Sequence, residues 1–439
     1  MQVSVESREG LERRMTVELP AEMVRGALEK RLKEIARSVK MDGFRPGKVP
    51  LSIVRQRYTG QARQEIFGDL VQSTYFEALE KEKLRPAGEP TIEPLQTGST
   101  DGLGYVAVFE VMPEVELKDI SEKVVERPLA EVTDADLEAM IEKLRKQRTT
   151  WNEVEREAQI GDQLIIDFKG FVEDREFEGG SADGVPLVLG SSAMIPGFEE
   201  RLMGAKSGEN RTLELQFPEE YRAKHLAGKD AKFDVKVNRI SEPILPDVDE
   251  EFAKAFGVTE GGVVGLRQEI RSNMERELQE KIRNILKERV MNLLLEANPI
   301  IVPKALIKQE AKLLQKQTRQ NLAQNGSNSR IDLPLNLFEP SAERRVSLGL
   351  ILSELIRVND IKLDDNRMHA KITQFAQAYE DPQEVIDYYL KEKKELAALE
   401  NVVLEDQVVD WVIERVKVED QVRSFDELMN DSSSGEAAE

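Results

Sequence analysis

The sequence predicts an α+β multidomain chain: an α+β N-terminal domain, a β-rich middle domain and an extended, all-helical C-terminal domain. Three observations lead there. The 439 residues exceed what one hydrophobic core ordinarily organises. Between Trp151 and Pro246 glycine is frequent and short alternating apolar runs dominate. From about residue 247 onward, apolar residues recur at three- and four-residue steps instead, in a chain that is 33% charged and only 5% aromatic, as suits long, surface-rich helices.

Taken in order, residues 2–7 and 12–19 alternate as strands do, with Met15, Val17 and Leu19 on one face, and Pro20 ends the second. Val24, Leu28, Leu32, Ile35 and Val39 predict a helix over 21–39. The stretch GFRPGKVP, residues 43–50, packs two prolines and two glycines into eight residues, so it reads as a loop, with Pro50 placed to open the next helix. A helical pattern over about 61–83 and strands near 90–96 and 103–111 complete a first domain, residues 1–113. Residues 114–150 read as a linker, extended and then helical, with Thr133 or Asp134 as the N-cap. The middle domain, 151–246, shows strand patterns at 163–172, 186–189, 210–217 and 231–240.

In the last domain, 247–430, Leu266, Ile270, Met274, Leu278, Ile282, Leu286 and Val290 form one stripe on a helix that stops before Pro299. Further helices are expected over about 303–324 and 341–358, and DPQE at 381–384 combines a capping Asp, an N1 proline and an N3 glutamate. The tail, 431–439, has nothing to bury and is expected to be disordered.

Charge narrows the function. The formal net charge of −21 argues against general adhesion to DNA, other nucleic acid or anionic lipid. Yet residues 25–63 carry 11 basic and 3 acidic side chains, and GFRPGKVP lies within this island. Such an island is either a contact for phosphate or a solvated basic helix face. With no cysteine there is no disulfide, thiolate zinc site or thiol nucleophile. His225 and His369 lack the near spacing of a metal pair, so no metal or cofactor is expected. The first twenty residues have no apolar core of a signal peptide, and no stretch approaches the roughly 18 apolar residues of a membrane span; a soluble, cytoplasmic protein without a membrane partner is the expectation.

No phosphate loop, metal cluster or serine–histidine pair marks the middle domain. What it offers is apolar: Phe168, Phe177, Leu187, Met194, Ile195, Phe198, Phe217, Tyr221 and Phe233. Aromatics at strand spacing form either an ordinary core or the lining of a pocket. The Pro-Gly turn between Ile195 and Phe198, in MIPGFEERLMGAKSGE, favours a pocket there.

The stretches IDFKGFVEDREFEGG and LVLGSSAMIPGFEERLMGAKSGE resemble the FKBP-type peptidyl-prolyl isomerase domain. With GFRPGKVP upstream and the long helical part downstream, the whole chain apart from its tail resembles the bacterial trigger factor family of ribosome-associated chaperones. The resemblance implies a ribosome-binding first domain, with Phe44, Arg45, Pro46 and Lys48 docking on protein and RNA of the large ribosomal subunit at the exit tunnel. Pro46 stands where the family often has lysine. It also implies an isomerase pocket formed by Phe168, Phe177, Ile195, Phe198, Tyr221 and Phe233, walled by Glu178, Leu187 and Met194. Glu178 replaces the usual aspartate of single-domain relatives, and Phe198 their tryptophan. Ile195 would supply the N–H that holds the substrate carbonyl.

The function so implied is an ATP-independent chaperone that binds nascent and unfolded polypeptides and isomerises X–Pro bonds, as a monomer or weak homodimer. Apolar stripes of the C-terminal helices would serve partly for packing and partly for clients. Two other readings stand beside it: a free-standing isomerase with a helical self-association domain, and a binding scaffold whose isomerase domain is inactive.

Overall fold

The computed structural model describes residues 1–40, 44, 49–95, 103–173, 175–221, 223–324, 333–377, 379 and 381–431, with only the backbone for Glu178. The expectations for Arg45, Pro46, Lys48 and residues 432–439 lie outside the described residues.

The first segment opens with strands β1 (Gln2–Ser7) and β2 (Glu12–Leu19), helices α1 (Ala21–Ser38) and α2 (Leu51–Glu82), and strands β3 (Thr91–Leu95) and β4 (Leu103–Glu110). The strands form one antiparallel sheet in the order β1-β2-β4-β3. Met15, Val17, Tyr105, Ala107 and Phe109 from one face of that sheet pack against Val24 of α1 and Ile66, Tyr75 and Leu79 of α2. The other half of the α1–α2 hairpin has its own core: Leu32 and Ala36 meet Val54 and Ala62, with Val49 completing it. Pro50 opens the second helix as its placement predicts, and α2 runs unbroken from Leu51 into the stretch where the helical pattern is clear, from about residue 61. Gly60 and Gly68 lie inside it at a propensity cost of about 1 kcal/mol each, offset by the packing of Val54, Ala62 and Ile66.

Next come β5 (Val124–Leu129) and α3 (Asp134–Gln147). Thr133, not Asp134, is the N-cap of α3, in a reciprocal capping box with Asp136. The β-rich segment contains β6 (Thr150–Glu153), β7 (Gln163–Val172), β8 (Arg175–Val188), the short helix α4 (Phe198–Leu202), β9 (Asn210–Gln216) and β10 (Asp230–Ile244). Its antiparallel sheet has the order β6-β10-β7-β8, with β9 also paired to β10. The core is the concave face: Leu164 and Ile166 of β7, Leu187 of β8, Leu213 of β9, Val235 and Val237 of β10, and Leu202 of α4. Strand β8 is much longer than the 186–189 that alternation suggests. Its pairing with β7 shifts register twice, and Gly179 (φ +80°) and Gly184 (φ +66°) take the left-handed backbone that such bulges use.

The remainder is α5 (Glu250–Ala255), α6 (Gly262–Ala297), α7 (Lys304–Gln324), a 3₁₀ turn at Leu335–Leu337, α8 (Glu339–Val358), α9 (Asp365–Ala376), α10 (Pro382–Lys391), α11 (Lys393–Ile413), β11 (Lys417–Val422) and α12 (Phe425–Asn430). Along α6 the buried stripe follows Leu266, Ile270, Met274 and Leu278, then moves to Ile285, Val290 and Leu294. Val290 and Leu294 share a core with Ile351 and Leu355 of α8 and Val408 and Val412 of α11; Ile120 and Val125 join it. Asp381 caps α10 through the N–H groups of Gln383 and Glu384. The C-terminal part is not wholly helical, because β11 pairs with β5, nearly 300 residues away in sequence.

The chain divides into two compact units: residues 1–127 with 284–421, and residues 128–283 with 422–439. Among the described residues no helix is long and apolar enough to cross a membrane.

Candidate functional site

Within the second unit, the concave side of the β-rich sheet is open at one end. A cavity of about 330 Å³ lies there, at the lower end of the range for ligand pockets. Phe168, Phe177, Met194, Ile195, Phe198, Phe217, Tyr221 and Phe233 line it, with Gly179, Gly180, Ala193, Pro196 and Pro218. Among the described residues no carboxylate, lysine, arginine or histidine reaches it.

The sheet's register assembles this lining. On β10 every second residue points inward, so Phe233 and Val235 share a face. Phe233 is opposite Gly170 on β7, and Val235 is opposite Phe168. Phe233 sits at the centre of the rings, 5.4 Å from Phe198, 6.1 Å from Phe177, 6.3 Å from Phe217 and 6.4 Å from Phe168 between centroids. Phe177 meets Phe217 edge-on at 5.7 Å, and Phe217 meets Tyr221 at 4.7 Å. Each such pair adds about 0.5–1.5 kcal/mol beyond area burial, so the rings hold one another in place. Phe198, 1% exposed, forms the floor from the first residue of α4.

Two glycines make room for Phe177. A Cβ on Gly170 would stand 2.7 Å from Phe177 Cε1, and one on Gly180 would stand 2.8 Å from Phe177 Cε2 and Cζ. The ring therefore occupies space that any side chain at either position would fill.

The rim is the loop 190–196. The Ile195 carbonyl accepts from the Phe198 N–H at 3.1 Å, while the Ile195 N–H has no acceptor among the described residues. Beneath this loop lies the Glu199 carboxylate. Burial pushes its pKa up, but hydrogen bonds from Ser192, Gly190, Ser191 and Ala193 outweigh burial and hold the carboxyl below the usual carboxylate range.

The structure thus brings together Phe168, Phe177, Ile195, Phe198, Tyr221, Phe233 and Met194 from the residues singled out in the sequence. Leu187 is a correction: it is 2% exposed, belongs to the core and is not part of the cavity wall. Its position on β8 turns it to the packed part of the sheet's concave face, opposite Leu164 on β7. The side chain of Glu178 lies outside what is described. Phe217 is among the apolar residues the sequence singles out, though not in the pocket that the resemblance implies, and it lines the cavity. Gly170, Gly180 and Glu199 are not among the expected site residues; nothing local marks Glu199 as buried.

In the first unit, Phe44 is 37% exposed. Exposed Lys30, Lys33, Arg37 and Lys40 follow α1 toward it, and none forms an ion pair among the described residues. Arg31 and Arg55 instead pair with Glu34 and Glu65, and with Glu29.

Family models agree with both halves of this description. Bacterial trigger factor protein matches residues 1–144 and its C-terminus residues 263–414; FKBP-type peptidyl-prolyl cis-trans isomerase matches residues 154–238. Trigger factor of Pseudomonas aeruginosa (strain PAO1) is 49% identical over 439 residues, 100% of both chains. Trigger factor of Thioalkalivibrio sulfidiphilus is 47% identical over 435 residues, 99% of both. The chain belongs to the trigger factor family. A solved structure of the trigger factor chaperone, concerned with promiscuous substrate recognition in folding and assembly activities, covers 94% of this chain and 99% of its own, with 18% identity and a TM-score of 0.49. As a trigger factor, the chain is a chaperone with an FKBP-type peptidyl-prolyl isomerase domain, and its enzymatic activity is cis–trans isomerisation of X–Pro bonds.

Proposed function

We propose that the cavity beside Ile195 is the isomerase active site, with Phe168, Phe177, Ile195, Phe198, Tyr221 and Phe233 as its catalytic residues and Met194 and Glu178 at its wall. The observation that carries this reading is the predominantly aromatic and aliphatic lining, with no charged side chain among the described residues, which suits the reaction's physics. Rotation about an X–Pro bond faces about 18–20 kcal/mol because resonance stiffens the amide. In the twisted transition state that resonance is lost and the amide is less polar. A dry aromatic cavity disfavours the planar, polar ground state relative to the twisted form, which is differential binding without an acid or base. The unpaired Ile195 N–H is available to hold a substrate carbonyl during rotation.

For the first domain, the reading is docking at the ribosomal exit tunnel through Phe44, Arg45, Pro46 and Lys48, on protein and RNA of the large subunit. The exposure of Phe44 and the unpaired cations along α1 support it. Nascent chains are the clients. Exposed Phe375, Tyr379, Tyr388 and Leu390 around α9 and α10 supply apolar surface for them. The working arrangement is a cytoplasmic monomer or weak homodimer, with segments 1–113, 114–150, 151–246 and 247–430 as ribosome-binding, linking, isomerase and chaperone parts.

The catalytic reading is tested by Phe198→Ala in the full chain with a proline tetrapeptide. A loss of kcat/KM of about tenfold or more, with the domain still folded, is expected. Unchanged activity would remove the cavity from consideration. Docking is tested by ribosome co-sedimentation of the chain and its Phe44→Ala/Arg45→Ala double variant; equal binding by both would defeat it.

A further inference from the structure

Glu199 follows the floor residue Phe198 on α4, yet it does not line the cavity and is only 8% exposed. A carboxylate so buried requires donors, and all of its donors come from one short stretch. Oε2 accepts from the N–H of Gly190 at 2.7 Å and of Ser192 at 3.1 Å. Oε1 accepts from the N–H of Ala193 at 2.9 Å, from the Ser191 hydroxyl at 3.1 Å and, at 3.5 Å, from the N–H of Met194. The loop's own bonding is sparse: the Ser191 N–H donates to the Val188 carbonyl at 3.2 Å and the Ala193 N–H approaches the Ser191 hydroxyl at 3.4 Å. Ser192 sits at φ +58°, a left-handed conformation unfavourable for a residue with a Cβ, and Gly190 at φ +91°. Their N–H groups turn inward together, and the Glu199 carboxylate is the anion they close around. The next residues along, Ala193, Met194, Ile195 and Pro196, are the cavity's rim.

The geometry points to Glu199 as the positioning residue of the isomerase site: it sets the loop 190–194 so that the Ile195 N–H and the Met194–Pro196 rim are in place before substrate arrives. This rests on the reading of that cavity as the active site. Phe198 and Glu199 divide the work of one turn of helix, the first closing the floor and the second fastening the rim. A loosened loop lowers the fraction of molecules competent to bind, and the apparent affinity falls by that fraction. Once bound, the substrate itself orders the rim. The signature is therefore a raised KM with kcat little changed.

The test measures kcat and KM of the full chain on a proline tetrapeptide, with amide hydrogen exchange alongside. Glu199→Gln keeps the shape but puts an amide NH₂ where N–H donors converge. It is expected to raise KM about tenfold while kcat stays within about twofold. Exchange at residues 190–193 should quicken while β7 and β10 keep their protection. A lowered apparent kcat at unchanged KM, the mark of general destabilisation, overturns the proposal, and so does a wild-type KM. If Glu199→Gln does not fold, Ser191→Ala removes one donor of the five and should raise KM about two- to threefold; no rise overturns the proposal. Full activity of Phe198→Ala would overturn this role together with the site reading. An inactive Phe198→Ala beside a Glu199→Gln of wild-type KM overturns the positioning role alone.

Discussion

Alanine at Gly170 would place its Cβ 2.7 Å from Phe177 Cε1 and 2.7 Å from Phe233 Cε1. Carbon atoms normally rest about 3.5–4.0 Å apart, so one or both rings must retreat by about 1 Å. Phe233 has little room to move, because it is 5% exposed and touches the rings of Phe168, Phe177, Phe198 and Phe217. Phe177 is half-buried at the edge and yields first. Overpacking of this kind costs about 1–3 kcal/mol, which lowers the melting temperature of a domain of about 100 residues by roughly 4–8 °C per kcal/mol. Losing the placed Phe177 ring removes about 1–2 kcal/mol of apolar contact with the reacting proline, hence about five- to thirty-fold in kcat/KM. Gly180→Ala is the internal control. The three atoms nearest its Cβ all belong to Phe177, at 2.8–3.0 Å, and none to the more confined Phe233, so it should reproduce the kinetic loss with less destabilisation. The assay is tetrapeptide isomerisation with thermal unfolding of the same samples. If both variants keep kcat/KM within about twofold, Phe177 does not shape the site and the reasoning fails.

Two further outcomes can be checked. The Tyr75 hydroxyl is buried without a hydrogen-bond partner among the described residues, and burial first, then the neighbouring Tyr105, pushes its pKa up to about 12. The unfolded chain ionises this group near pH 10, so its contribution to stability is intact below that pH and is lost as pH rises from about 10 to 12. Tyr75→Phe should be neutral to about 1 kcal/mol more stable in denaturant titration at pH 7 and should lose part of the alkaline fall; a loss of about 1 kcal/mol or more would contradict the unpaired hydroxyl. Ribosome binding should weaken steeply with salt if the cations of α1 and the adjoining loop meet phosphate; a flat salt dependence between about 50 and 200 mM would exclude RNA as their partner.

Local physics was legible in the sequence where it acts alone. Strands β1 and β2 and helix α7 follow from period and from proline placement, because alternation, helical stripes and forbidden N–H groups are properties of neighbouring residues. The start of α2 was legible in Pro50, but its continuity through 51–60 was not, since the helical pattern is clear only from about 61 and packing onto α1 supplies the rest. Strand β8 was obscured by the glycines that its bulges need. Strand β11 depends on a partner nearly 300 residues away, which no window can contain.

For the site, the sequence by itself determined the chemical character: a middle domain whose candidate site residues are aromatic and aliphatic, with a Pro-Gly turn before Phe198, and a phenylalanine amid cations in the first domain. Tertiary structure alone decided which apolar residues face empty space and which face one another. Leu187 and Phe168 both lie on strands of the same concave face, but one is sealed in the core and the other borders the cavity. Alternation records that a side chain points inward; it carries no information on whether the interior there is full. Likewise nothing local in the sequence sets Glu199 apart, and only the folding of the 190–194 backbone around it turns that carboxylate into the rim's anchor.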